Sequence, residues 1–225
     1  MRIKLFLLIY LGSIGSIYGM SKIANEMLLE GIVMGNIELV KEAIENGADV
    51  NTKKGQDTAL MMAARNDNED VARLLLDAKA DCNMTDDYSS TPLMIAVRRG
   101  KENLVKLFLR YGADPDIKSR YGDVALLLAA YGYGIIVKME DILKLLLDAG
   151  ASLDIMDKQG LNVLDTANKK KDKSLIELLE AEYKKREEKR QQVNKEIVES
   201  GYLLPDLASI VSEYAVCAKQ KGGGK

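Results

Sequence analysis

The sequence predicts an all-α solenoid of stacked helix pairs, and three observations predict it. A mostly apolar hexapeptide recurs every 33 residues, as Thr58-Ala59-Leu60-Met61-Met62-Ala63, Thr91-Pro92-Leu93-Met94-Ile95-Ala96 and Val124-Ala125-Leu126-Leu127-Leu128-Ala129. A second block recurs out of phase with it, at Glu45–Asn51, Asp77–Asn83, Arg110–Asp116 and Asp148–Asp154. Between the blocks lie two short helical patterns and no convincing strand pattern. A period of this size belongs to units that cannot bury an apolar face alone and must stack on copies of themselves.

Composition sets the outer limits. The 225 residues are 47 % hydrophobic and 29 % charged, an ordinary balance for a chain long enough to build a core. With 32 basic and 34 acidic residues the formal net charge is −2, without the positive excess of a nucleic-acid binder. Histidine is absent, which removes Ser-His-Asp and Cys-His catalysis and imidazole acid–base chemistry. Two cysteines cannot make a disulfide framework. The balance leans away from an enzyme and towards a helical binding module.

Taken in order, the chain opens with Arg2 and Lys4, an apolar run from Leu5 to Ile17, and small residues Ser13, Gly15, Ser16 and Gly19. This is the layout of a secretory signal peptide over residues 1–19, cleaved after Gly19. The run is short for a spanning helix. Cleavage implies export, periplasmic or secreted. An uncleaved segment implies a membrane anchor, and a buried N-terminal helix is the third alternative.

In the repeats, the first helix of a unit carries a small residue at its centre, such as Ala96, so that a second helix can approach. The second, such as Asn103 to Arg110, is apolar along Leu104, Val105, Leu107, Phe108 and Leu109. Gly100 and Gly112 stand at the helix ends, where a left-handed residue closes the turn. Pro92 suits a helix's first turn.

Residues 91–116, TPLMIAVRRGKENLVKLFLRYGADPD, are similar to the ankyrin repeat. The resemblance covers residues 23–183 and divides them into units at 23–54, 55–87, 88–120, 121–158 and 159–183. It implies helix–turn–helix units with projecting β-turn fingers, a concave face, and contact with a protein partner through that face and the fingertips. Several positions depart from the pattern. The first unit has Glu26-Met27-Leu28-Leu29 where TPLH is expected, as an end cap can. The family's histidine is replaced by Leu29, Met61, Met94, Leu127 and Asp165, so its side-chain hydrogen bond is lost. Lys79 replaces a helix-ending glycine and is expected to strain its turn. The fourth unit carries five extra residues near Tyr131–Val137.

After the repeats, Ile176 to Glu199 reads as one charged helix, with residues 184–199 as its extension. Residues 200–225 hold a short amphipathic helix, Leu203–Tyr214, and a glycine-rich tail. The helix is similar over about a dozen residues to the opening of an F-box, a partner-recruiting motif. An adaptor that recruits a second partner there is therefore the alternative function.

No catalytic constellation, cofactor loop or metal-ligand spacing is present in the sequence. Cys82 sits where a small apolar residue is normal and is expected in the core. By the resemblance, the partner-binding candidates are Arg65, Asn66, Asp87, Tyr88, Arg98, Arg99, Arg120, Tyr121, Tyr131 and Tyr133. Finger residues Lys53, Lys54, Gln56, Asp57, Ser89, Asp123, Lys158 and Gln159 extend the set. Tyrosine and arginine are the residue types enriched at interface hot spots. The expected protein is a monomeric, non-catalytic scaffold without a cofactor. It has a protein partner, no nucleic-acid partner, and no stable membrane insertion once the leader is removed.

Overall fold

The computed structural model describes residues 17–132 and 139–199, in two units that meet at Ile176 and Glu177. Residues 1–16, Tyr133, Cys217 and the Leu203–Tyr214 segment lie outside the described residues.

The first unit is a stack of helix pairs. They are α1 (Ile17–Met34) with α2 (Ile37–Glu45), α3 (Ala59–Arg65) with α4 (Glu69–Asp77), α5 (Pro92–Arg98) with α6 (Glu102–Arg110), and α7 (Ala125–Tyr131) with α8 (Met139–Asp148). Then follow α9 (Val163–Lys170) and the start of α10 (Lys173–Glu199). Helices α1, α3, α5, α7 and α9 pack side by side in one row, and α2, α4, α6 and α8 in a second. The mostly apolar hexapeptides supply the first row. Leu60, Met61, Leu93, Met94, Leu126, Leu127 and Leu128 are fully buried there, and Phe108 anchors the second row. Burying a side chain of this size contributes about 1.5–3 kcal/mol. Met61, Met94 and Leu127 thus fill with hydrocarbon the site where a hydrogen-bonding ring was lost. Asp165, at the same register, instead accepts from the Asn162 backbone N–H at 3.1 Å and completes a capping box.

Helix starts follow the side chains available. Thr58 and Thr91 accept from the N–H groups of Met61 and Met94, each at 3.2 Å. Asn36 and Asn68 do the same for α2 and α4. Lys101 and Val124 make no side-chain cap, so α6 and α7 begin without one. One small sheet forms, in which β1 (Lys53–Lys54) pairs antiparallel with β2 (Asp57–Thr58). The sequence pattern had shown no strand here, because two-residue strands are too short to display alternation.

The first pair is unlike the others. Its helix starts at Ile17, not near Ile23, and runs through the place where a finger would stand. Among the described residues, no helix is long and apolar enough to cross a membrane. Cys82 is buried, as expected. Burial also pushes its thiol pKa up, so the thiolate is disfavoured.

The units are also tied by hydrogen bonds. The side-chain oxygens of Asn51, Asn83 and Asp116 accept from the backbone N–H of Asp81, Asp114 and Ser152 in the next unit, each at 2.8 Å, and within the first unit Asn25 accepts from Asp49 at 2.7 Å. Asp49, Asp81 and Asp114 in turn accept from the N–H two residues on, at 2.9, 2.8 and 2.9 Å. That turn aims each acceptor at the following unit.

In the second unit, residues 177–199 form a helix laced by side-chain pairs. Glu182 meets Arg186 at 2.9 Å and Lys184 meets Glu188 at 3.9 Å, both four residues apart, where side chains of a helix are neighbours. Burial raises the Glu182 carboxyl, but the hydrogen bonds from Arg186 and Lys185 outweigh it and hold its pKa below the ordinary value.

Two measurements check the packing. Ala96 is 0 % exposed, so Ala96→Leu forces the α5–α6 pair apart and should lower the melting temperature, with a cost of about 1–3 kcal/mol. Lys79 sits at φ +69°, where glycine stands at +86° in the matched Gly112. Lys79→Gly should therefore raise stability by about 1 kcal/mol in a urea titration.

Candidate functional site

The finger-bearing face of the first unit places most of the predicted contact residues, and the repeat register explains how. Arg65, Arg98, Tyr131 and Lys169 occupy the same position in successive units, at the C-terminal end of each first helix. Tyr88, Tyr121 and Gln159 share a second register, in the fingers.

Each finger is closed by one polar side chain. Asp86 Oδ1 accepts from the N–H of Tyr88 (2.9 Å) and Ser90 (2.8 Å), and Ser119 Oγ from those of Tyr121 and Asp123, each at 3.2 Å. Asp157 Oδ1 accepts from Gln159 (2.7 Å) and Leu161 (3.0 Å). These turns hold Tyr88 and Tyr121 on the surface, 44 % and 53 % exposed. Their rings stack at 6.5 Å with an interplanar angle of 16°. The Arg120 guanidinium lies 5.7 Å from the Tyr88 ring centroid, and the Arg120 N–H donates to the Tyr88 carbonyl at 2.8 Å. The cluster is a preordered amphipathic patch, which costs little side-chain entropy on binding. Gly122 lets the next finger come close. It holds φ +85°, and a Cβ there would lie 3.1 Å from the Lys158 nitrogen.

Beside the patch runs an open groove of about 860 Å³. Leu128, Leu161, Tyr121 and Tyr131 form its apolar part, and Arg98, Lys158 and Lys169 are on its wall. Asp123 and Asp157 are also in it. The Tyr131 hydroxyl donates to Asp157 Oδ2 at 2.5 Å. Burial, followed by that bond, pushes the Tyr131 pKa far up, so the phenol stays protonated. Burial opposes ionisation of Asp157 as well, but the Tyr131 hydroxyl and the Leu161 and Gln159 N–H groups outweigh it and hold the carboxyl below its ordinary pKa. Asp123 goes the other way. Burial raises its pKa and Asp157 adds to this, with Arg98 opposing. Lys170 donates to the carbonyls of Ala130 (2.9 Å) and Tyr131 (2.6 Å), closing the C-terminal end of α7.

Two predicted residues are placed elsewhere. Asn66 stands at the C-terminal end of α3, and its amide donates to the Ile32 carbonyl at 3.2 Å, a bond between units. Arg99 lines a separate groove with Asp67, Lys101 and Glu102 at the inter-helix turns. Each is the residue after Arg65 or Arg98 and keeps the helical backbone, so it stands about 100° further round the helix from them. Asp87 and Arg120 are exposed on the fingers. Tyr131 is half-buried and its hydroxyl is already bonded. Sequence reasoning missed Lys169, Leu128 and Leu161 as groove residues. Aligning the units column by column was the signal that could have found Lys169.

A family model for ankyrin repeats (3 copies) matches residues 28–119 and 93–189. The chain belongs to the ankyrin-repeat family. Repeats of this kind generally mediate protein–protein interaction. The mitochondrial disaggregase of Homo sapiens is 47 % identical over 64 residues, which are 28 % of this chain and 9 % of that protein. That of Bos taurus is 44 % identical over 64 residues, 28 % of this chain and 10 % of that protein. This ankyrin-repeat chain spans about a tenth of the length of the curated relatives it matches.

The two aspartates have opposite pH signatures. Asp157, with its pKa lowered by the fold, contributes stability that is full above the ordinary aspartate range and lost as pH falls through the folded value. Asp123, with its pKa raised, contributes stability at acid pH that is lost as pH rises through its folded value. Melting curves from neutral pH to about pH 3 should therefore show a smaller acid-side loss for Tyr131→Phe and Asp157→Asn than for the parent, and a larger one for Asp123→Asn.

Proposed function

We propose that this ankyrin-repeat chain is a non-catalytic interaction module that acts outside the cytoplasm as a monomer. It holds a protein partner on its finger-bearing face. The observation that carries the reading is the exposed Tyr88–Tyr121–Arg120 cluster beside an open groove. Stacked aromatics and arginine, ordered before contact, are what a protein interface uses as anchors. Asp123 and Asp157 in the groove and the formal net charge of −2 favour a protein over a nucleic acid. The export reading rests on residues 1–19, with their basic start, apolar run and small residues.

Crosslinking the full chain in its own cells, with and without Tyr88→Ala plus Arg98→Ala, tests the reading. The adduct formed by the parent should be lost in the double variant while the melting temperature stays within a few degrees, because both side chains are exposed. Adducts of equal yield would remove this face as the binding surface. N-terminal sequencing of the mature protein should begin at Met20 if the leader is cut after Gly19.

A further inference from the structure

We infer that the groove between the third and fifth repeats binds an acidic, extended peptide segment that carries a large apolar side chain next to a carboxylate. The inference rests on the proposed interaction role and names the chemistry of the partner.

The argument turns on one register position. Arg65 lies 2.9 Å from Asp57 in its own unit and 3.7 Å from Asp86 in the next finger. Its charge is matched within the protein. Thirty-three residues later the arginine is kept as Arg98, but Asp57 is replaced by Ser90 and Asp86 by Ser119. Ser119 Oγ is occupied in closing its finger. In the following unit the aspartates return as Asp123 and Asp157, and the arginine is now Tyr131, bonded to Asp157. Arg98 has therefore lost both short-range carboxylates that its counterpart holds. Asp123 acts on it through its field, from a carboxyl that burial makes reluctant to ionise.

Lys169 stands at the same register on the far side of Tyr131, and Lys158 projects from the finger between them. Arg98, Lys158 and Lys169 thus surround an apolar floor of Leu128, Leu161 and the Tyr131 ring. Three cations face two carboxylates in the groove, so a positive excess is left although Lys169 acts on Asp157 through its field. Asp157 accepts three hydrogen bonds inside the protein, from Tyr131, Gln159 and Leu161. A carboxylate next to Arg98 replaces the missing aspartates and gains a charge-assisted bond, and an apolar side chain two positions along reaches the floor. A polyphosphate backbone fits less well, since it brings no apolar side chain to the floor of Leu128, Leu161 and the Tyr131 ring.

Selection from a random heptapeptide library displayed on beads, with the full chain as bait, tests this. The selected sequences should carry Asp or Glu within two residues of Phe, Leu or Tyr. The tightest of them should bind at least about tenfold more weakly to the Arg98→Gln, Lys169→Gln double variant, and also to the parent at high salt. Lys106→Gln with Lys144→Gln, on the second row of helices away from the groove, should change nothing. Neutral or basic consensus sequences, no enrichment, or binding indifferent to Arg98 and Lys169 would each overturn the inference. The broader reading fails separately, by survival of the cellular adduct when Tyr88 and Arg98 are removed. If that adduct is lost while the library shows no acidic preference, the interaction role stands and the acidic partner does not.

Discussion

The stack depends on one relation: what each unit leaves unsatisfied is satisfied by the next. Hydrophobic burial drives the helices together, but it is blind to register, since one row of leucines would slide along another. The oxygens of Asn51, Asn83 and Asp116 remove that freedom by each accepting a backbone N–H from the neighbouring unit. A displaced unit would strand these donors and acceptors, and unpaired polar groups near a protein core are costly. The apolar rows thus supply cohesion, and a polar ladder sets alignment.

Alignment matters because binding is assembled across units. Arg120 belongs to one finger and Tyr88 to another, yet the guanidinium meets the ring and the backbones share a hydrogen bond. Tyr131 and Asp157 are likewise brought together from a first helix and the finger that follows its unit's second helix. A surface of this kind varies without disturbing the core, because the register residues proposed to meet a partner are not those that carry the ladder. Replacing Asp57 and Asp86 by Ser90 and Ser119 at matched positions leaves the fold unaltered and changes the charge exposed at the arginine.

The helix pairs were legible because their signals are local and repeated. Thr91 and Pro92 open a helix, Ala96 admits a neighbour, and the Leu104–Leu109 stripe supplies the opposing face. Cys82 as a core residue followed from its place in the repeat. What escaped was either too short or too distributed. Two-residue strands have no period to detect, and the backward extension of α1 to Ile17 falls inside a stretch that reads equally as a leader. The sequence also offered Arg65 and Arg98 as equivalents, which they are by position but not by surroundings. Telling them apart requires residues 57, 86, 90 and 119, drawn from two units. Asn66 and Arg99 stand apart from their neighbours for a simpler reason: adjacent residues on a helix point about 100° apart, so Arg65 with Asn66, or Arg98 with Arg99, cannot share one face.

The long first helix has a bearing on maturation. Among the residues whose side chains are described, Ala24 is the first that is buried, while Met20, Ser21 and Lys22 are exposed. The proposed cleavage after Gly19 would take three residues of α1, less than one turn, and leave Ala24, Met27 and Leu28 in the chain. The proposed cut and these buried side chains thus stand on different turns of one helix.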